Sequence, residues 1–253
     1  MIEIKDLKMK YLYGEEFAIP SLTFNEGEIS SVIGKNGSGK TTLLRTIAGI
    51  LPYTGHLLID NKESREYKNI ERAKVVAYLP QMIKAVSLDV ETLVAHGRFS
   101  HLGNYRRMNE KDRTAIENAL KITKMTDYRN RYLTELSGGE LRRAYLAMVI
   151  AQGSKIILLD EPTSYMDIEN QRLFYEILKE LVTSGCGIVQ ICHDIEQSFT
   201  YSDKLVLMKD ITVMANGAPE ELLAKEELIR DTFGVYIMKT VDKNLLYPYV
   251  LTK

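Results

Sequence analysis

Val32-Ile-Gly-Lys-Asn-Gly-Ser-Gly-Lys-Thr-Thr-Leu-Leu44 is the stretch on which the reading of this chain turns. It fits the phosphate-binding template G-x-x-x-x-G-K-[ST] at Gly34, Gly39, Lys40 and Thr41. Ile29 to Ile33 before it reads as a short buried strand, and Thr42 to Ala48 after it as a helix, which is the strand–loop–helix setting the template needs. Without those flanks the same letters would make only a glycine-rich turn capping a helix. Glycines at 34, 37 and 39 let the backbone turn its N–H groups toward one point, where they can wrap an anion. The following helix N-terminus adds partial positive charge, Lys40 can reach terminal phosphates, and the Thr41 hydroxyl suits a Mg2+ ligand. Alone, this loop says nucleotide and no more.

Composition narrows the classes. The 253 residues can bury a full core, and 33 basic against 34 acidic residues give a net charge of -1. That balance argues against a nucleic-acid footprint, and no nucleic-acid partner is expected. No apolar run reaches the roughly 18 residues a membrane span needs. The first ten residues, MIEIKDLKMK, carry no signal-peptide pattern, so a soluble, cytosolic chain is expected. Cys186 and Cys192 read as buried thiols; Cys192 and His193 adjoin in a strand, where neighbours face opposite sides, which argues against a metal pair.

Outward from the loop, Ile2 to Tyr13 reads as a strand leading to a turn at Gly14, and Ala18 to Phe24 as a second strand. Tyr11 and Tyr13 near the end of the first strand are either core filling or an aromatic platform for a purine base. Gly55 to Asp60 is a further strand, followed by a polar turn from Asn61 to Tyr67. Lys74 to Leu79 reads as a buried strand ended by Pro80, with Gln81 at its carboxyl edge, where ligands collect in open α/β sheets. From about Ser87 to Gln152 helix formers take over, with Asn109 capping one helix.

Ser137-Gly-Gly-Glu140 opens another helix with a capping box. Two glycines in a first turn cost roughly 1 kcal/mol each, so a close approach to that backbone is expected, as at a second phosphate-facing helix N-terminus. Ile156 to Leu159 is a strand buried on both faces that ends in Asp160 and Glu161. Carboxylates there call for a cation or a proton to accept: Asp160 suits metal binding and Glu161 suits polarising an attacking water. Asp167 starts a helix running to about Gly185, and Gly187 to Cys192 is a strand ending at His193, on the same sheet edge as the carboxylates. A hairpin at Leu205–Met208 and Ile211–Met214, then one or two helices from Pro219 to Phe233, precede a tail that reads as irregular.

Taken in order, the phosphate loop, Gln81, Leu136 to Glu140, the strand into Asp160-Glu161, Asp167 and His193 resemble the ATP-binding cassette (ABC) family. The resemblance implies an α/β fold: a P-loop NTPase core with a mixed central sheet, an antiparallel β edge and an inserted helical subdomain. It puts the nucleotide-binding domain at 1–235, its core at 1–85 and 153–225, the helical insertion at 86–152, and a tail at 236–253.

The resemblance also implies roles and an ATPase activity. Tyr11, with Tyr13 as the alternative, would stack on adenine. Gly34, Asn36, Gly37, Ser38, Gly39, Lys40, Thr41 and Thr42 would hold the phosphates of ATP. Thr41, Gln81 and Asp160 would hold Mg2+, Glu161 would be the general base, and His193 would sense the γ-phosphate. Ser137, Gly138, Gly139 and Asp167 would close over the ATP of a second copy in a head-to-tail dimer. Within the family, Val90 to His101, with its Gly97-Arg98-Phe99 step, is similar to importers of iron-siderophore, haem and cobalamin-type chelates, and Phe233 to Val235 and Pro248 to Val250 are compatible with them. That implies transmembrane permease subunits, an extracytoplasmic substrate-binding protein, and a peripheral position on the cytoplasmic side of the membrane. Departures are Glu140 where many members have glutamine, Met148 in place of a frequent arginine, and no glycine at the turn Lys209-Asp210-Ile211. The competing reading is a soluble clamp of the same family acting on nucleic acid or ribosomes.

Overall fold

Apolar runs without polar alternation make strands buried on both faces, and here they form the centre of the molecule. The computed structural model describes residues 1–10, 16–102, 107–164, 166–242 and 247–252. Tyr11, Tyr13 and the Gly14 turn lie outside the described residues. In chain order come β1 (Ile2–Lys10), β2 (Glu16–Phe24), β3 (Ile29–Gly34), α1 (Lys40–Ile47), β4 (Tyr53–Ile59), β5 (Lys62–Glu63), α2 (Asn69–Ala73) and β6 (Val76–Leu79). The insertion holds α3 (Val90–His96), α4 (Glu110–Ile122) and α5 (Gly138–Ala151). Then follow β7 (Ile156–Asp160), α6 (Ile168–Thr183), β8 (Gly187–Ile191), α7 (Ile195–Tyr201), β9 (Lys204–Lys209), β10 (Thr212–Gly217), α8 (Pro219–Leu223), α9 (Glu226–Phe233), β11 (Tyr236–Lys239) and β12 (Tyr249–Thr252).

β6, β7, β8, β3 and β9 lie side by side in that order and run parallel, with β10 antiparallel at the edge. β2, β1, β4 and β5 form a separate antiparallel sheet. The mixed sheet and the antiparallel edge are those expected from the sequence. The two-residue period sorts the core. On β7, Ile156 and Leu158 face α1 and the antiparallel sheet, whereas Ile157 and Leu159 face α5 and α6. β8 divides in the same way, with Val189 and Ile191 on the first side and Ile188 on the second. Leu43, Leu44 and Ile47 of α1 are fully buried between the two sheets. Each such side chain contributes roughly 1.5–3 kcal/mol over an exposed one, so the helix that follows the phosphate loop is firmly anchored.

In the insertion, α3, α4 and α5 enclose Leu93, Val94, Ile116, Leu120 and Met125, and Ala144, Ala147 and Ala151 let the helices close up. Arg98 staples them: its Nε donates to Asp112 Oδ1 at 3.0 Å and its Nη1 to the Ala151 carbonyl at 2.8 Å.

Several local elements differ from expectation. The polar turn at 61–67 carries β5 and a short 3-10 turn at Ser64–Glu66, and α2 and α7 are added. The tail pairs β11 with β12 instead of being irregular. Ile237 and Tyr249 bury against Phe199, Leu222 and Ile229, so tertiary packing makes that hairpin where local sequence signals little.

Candidate functional site

Because β3, β6, β7 and β8 are parallel, the loops after them meet at one edge of the sheet. The loop after β3 turns through left-handed backbone at Gly37 (φ 83°) and Gly39 (φ 93°). At Gly34 a Cβ would sit 2.1 Å from the Met208 carbonyl oxygen, so no side chain fits there. Lys40 is buried, and its ammonium donates to the carbonyls of Gly34 at 2.7 Å and Lys35 at 2.8 Å. Burial lowers its pKa, against the pull of Glu161 and Asp160. Asn36 and Gly37 are exposed at the tip and Thr42 is half-buried at the start of α1. The Ser38 hydroxyl is buried and finds no hydrogen-bond partner among the described residues. An orphaned donor in a turned-in loop suits an incoming phosphate oxygen.

At the end of β7, Asp160 is 1% exposed. Its Oδ1 accepts from the Thr41 hydroxyl at 3.2 Å and its Oδ2 from the Tyr78 hydroxyl at 3.0 Å. Burial raises the Asp160 pKa, the two hydroxyls pull it back down, and neighbouring Glu161 raises it further. A buried carboxylate with a hydroxyl beside it is a sparse, hard-oxygen donor set of the kind that suits Mg2+, which keeps most of its shell for water and phosphate. Glu161 has φ 49°, unusual for a residue with a side chain. Its Oε2 accepts from Gln81 Nε2 at 2.5 Å and from the Ser164 hydroxyl at 3.2 Å, while His193 Nε2 lies 2.5 Å from Oε1. Gln81 and His193 are both exposed, so the carboxylate meets solvent between them.

The structure thus brings Thr41 to Asp160, and Gln81 and His193 to Glu161. It does not bring Gln81 to Asp160: of the three residues expected around a metal, two touch and the third is engaged with Glu161.

Ser137 caps α5 with the expected box: its N–H donates to Glu140 Oε2 at 2.7 Å and its Oγ accepts from Glu140 N at 3.4 Å. The two glycines after it differ. A Cβ at Gly139 would lie 2.8 Å from the Asn170 amide carbon, whereas at Gly138 nothing lies within 4 Å. Asn170 also donates to both Asp167 oxygens and accepts from Arg143 at 2.6 Å. The signature turn and exposed Asp167 are therefore one cluster built around Asn170. No hydrogen bond among the described residues joins Ser137, Gly138, Gly139 or Asp167 to Lys40, Thr41, Asp160 or Glu161.

Three contributors escaped the sequence reading. Tyr78 stood as one aromatic in an apolar strand, and only the register of β6 on β7 reveals its partner. Ser164 lay three residues past Glu161, in turn spacing that could have been noticed. Arg142 sat on a helix whose other face filled the core, and it belongs to the site through its contacts with the Pro80 and Glu161 carbonyls. The proposed adenine platform, Tyr11 or Tyr13, lies outside the described residues.

The ABC transporter family matches residues 18–164, more than half of the chain. The sequence is 37% identical over 235 residues to the petrobactin import ATP-binding protein FpuC of Bacillus anthracis, covering 91% of this chain and 86% of that protein. It is 34% identical over 244 residues to the ferric enterobactin transport ATP-binding protein FepC of Escherichia coli, covering 94% and 90%. Among solved structures, an inward-facing transporter described as of metal-chelate type superposes with a TM-score of 0.85 at 25% identity, over 100% of this chain and 97% of that one. A bacterial cassette solved as a dimer superposes with a TM-score of 0.74 at 25% identity, over 87% and 99%.

Proposed function

This chain belongs to the ABC transporter family of ATP-hydrolysing cassettes, and on that premise we propose that it powers a membrane importer of iron-siderophore, haem or cobalamin-type chelates. The observation that carries the chemistry is the convergence of Lys40, the Thr41–Asp160 pair and the Gln81–Glu161–His193 group on one sheet edge. The likeness to ATP-binding proteins of petrobactin import and ferric enterobactin transport supports the cargo class, and it favours transport over a soluble clamp on nucleic acid or ribosomes.

In this reading the loop from Gly34 to Thr42 holds the β- and γ-phosphates of ATP, with Lys40 as its cation. Thr41, Gln81 and Asp160 would hold Mg2+, which when bound neutralises charge on the phosphate oxygens. Glu161 takes a proton from water as the water oxygen bonds to the γ-phosphorus and the bond to the ADP oxygen breaks, giving ADP and phosphate. His193 orients the γ-phosphate. A second copy contributes Ser137, Gly138, Gly139 and Asp167 across a head-to-tail ATP sandwich, so hydrolysis depends on assembly. Residues 86–152 are then an insertion in a 1–235 domain, and they face a permease fed by an extracytoplasmic binding protein. No helix among the described residues is long and apolar enough to cross a membrane, which fits a peripheral subunit at the cytoplasmic face.

Replacing Glu161 by Gln tests both parts. The tagged variant should bind ATP, trap a dimer, lose steady-state hydrolysis, and bring a multi-span permease with it from gently solubilised membranes. Robust turnover would remove Glu161 from the base role. Recovery of ribosomal or DNA-associated proteins instead of a permease would overturn the transport reading and keep the ATPase.

A further inference from the structure

The geometry points to Arg142 as a positioning residue that, from the helix opened by Ser137, fixes the backbones at Glu161 and Gln81 together. The inference rests on the reading of Glu161 as general base. Arg142 is 5% exposed, and a guanidinium that deep needs acceptors for its rigid fork of donors. The two it has among the described residues are carbonyls: Nη1 donates to Pro80 O at 3.0 Å and Nη2 to Glu161 O at 3.4 Å. Pro80 directly precedes Gln81, so one side chain ties down the residue before Gln81 and Glu161 itself. These are the two loops whose side chains meet at 2.5 Å between Gln81 and Glu161.

That backbone needs holding. Glu161 sits at φ 49°, and a left-handed residue with a side chain persists only where its surroundings over-determine it. The Glu161 carbonyl accepts from Ser164 N at 3.4 Å as well as from Arg142, and both bonds fix the peptide that aims the carboxylate. Burial works against the Arg142 charge, and the fields of Asp160 and Glu161 oppose that cost. The next residue, Arg143, turns the other way, to Asn170 and the Asp167 cluster. Two successive arginines on α5 therefore tie its first turns to the proposed catalytic loops on one side and to the Asp167 turn on the other. A shift of α5 moves both.

Arg142 meets the two loops with two separate nitrogens held in one plane, whereas glutamine and lysine each carry a single donor nitrogen that has to serve both carbonyls from one point. Arg142→Gln should lower kcat by about 10- to 100-fold, the cost of a small misplacement of a reacting group, with KM for ATP within about twofold of wild type. Arg142→Lys, which keeps the charge on a single donor nitrogen, should recover part of the loss. In the Glu161→Gln background, Arg142→Gln should still give the ATP-held dimer, because the contact serves the carboxylate and not the assembly. Unchanged kcat in Arg142→Gln would overturn the inference. So would loss of the ATP-held dimer in the double variant, which would give Arg142 a purely structural role. If wild-type turnover proves insensitive to Glu161→Gln, the base assignment fails first; if turnover is sensitive and Arg142→Gln behaves as wild type, only the present inference falls.

Discussion

Asp112→Asn breaks the buried ion pair of the helical insertion, and its cost can be worked from the surroundings. The Arg98 and Asp112 side chains are 10% and 1% exposed, and Asp112 Oδ2 also accepts from Asn109 N at 3.0 Å, closing the capping box of α4. An asparagine there has one acceptor for two donors. Its amide nitrogen must face either Arg98 or the Asn109 N–H, and in either orientation the buried Arg98 charge loses its anionic partner and keeps the neutral Ala151 carbonyl. Removing one partner of a buried pair costs about 3–5 kcal/mol. At about 2–4 °C per kcal/mol for a chain of this size, the expected loss in Tm is roughly 6–20 °C.

Thermal unfolding followed by circular dichroism measures it. Converting both residues, Arg98→Met with Asp112→Leu, removes the stranded charge and should leave a loss near the capping contribution of about 1 kcal/mol. A pH series adds a sign. The Asn109 N–H, with Arg98 against burial, holds the Asp112 carboxyl below its ordinary 3.8. A depressed carboxyl contributes stability that is present above the unfolded value and lost as pH falls through the folded one. The gap between wild type and Asp112→Asn should therefore be full at neutral pH and narrow below pH 3.8. A single variant within about 3 °C of wild type, or a double variant no better than the single, would refute the reasoning.

Replacing Lys40 by Ala should weaken ATP binding, as read by nucleotide titration; unchanged affinity would remove Lys40 from the phosphate cradle. Ser137→Arg should bind ATP as a monomer and fail to hydrolyse it, and full activity would break the shared-site reading. Asp160→Asn should abolish turnover yet raise the Tm measured at pH 7 without nucleotide. Burial raises the Asp160 pKa, so its favourable contribution exists below the unfolded value and is gone once pH has risen through the folded one. A lower Tm for Asp160→Asn would contradict that sign.

How much of this was legible differs by element. Val32 to Leu44 and Ile156 to Glu161 announce themselves because buried parallel strands read as unbroken apolar runs, and their loops carry residue types that have few other uses. α7 and the β11–β12 hairpin were not legible, because their stability comes from packing onto residues distant in sequence, such as Phe199 on Tyr249. Tyr78 and Arg142 were hidden for a related reason: each acts through a partner on another element, and spacing along one strand or helix cannot show it. Arg98 was visible but differently understood. Its place in the Gly97-Arg98-Phe99 step suggested an importer subgroup, and the structure gives it work inside the insertion, bridging α4 and the end of α5.

The charged groups of the proposed site are already engaged with the chain itself, and this shapes what ATP binding has to do. Lys40 spends two of its three donors on the carbonyls of its own loop, so contact with phosphate comes by exchange or by its third proton. Both Glu161 oxygens are contacted, one by His193 and the other by Gln81 and Ser164. A carboxylate held on both sides is poorly placed to accept a proton from water. If His193 turns to the γ-phosphate and Gln81 to the metal, as their proposed roles require, both leave Glu161 in the same movement, and its lone pairs are freed when there is substrate to act on. Arg142 holds the Glu161 and Pro80 backbones through that exchange, so the side chains can change partners without the peptides that carry them losing their aim. With the roles proposed for them, the Gln81–Glu161–His193 contact would restrain turnover until ATP arrives, and the same three residues would perform it afterwards.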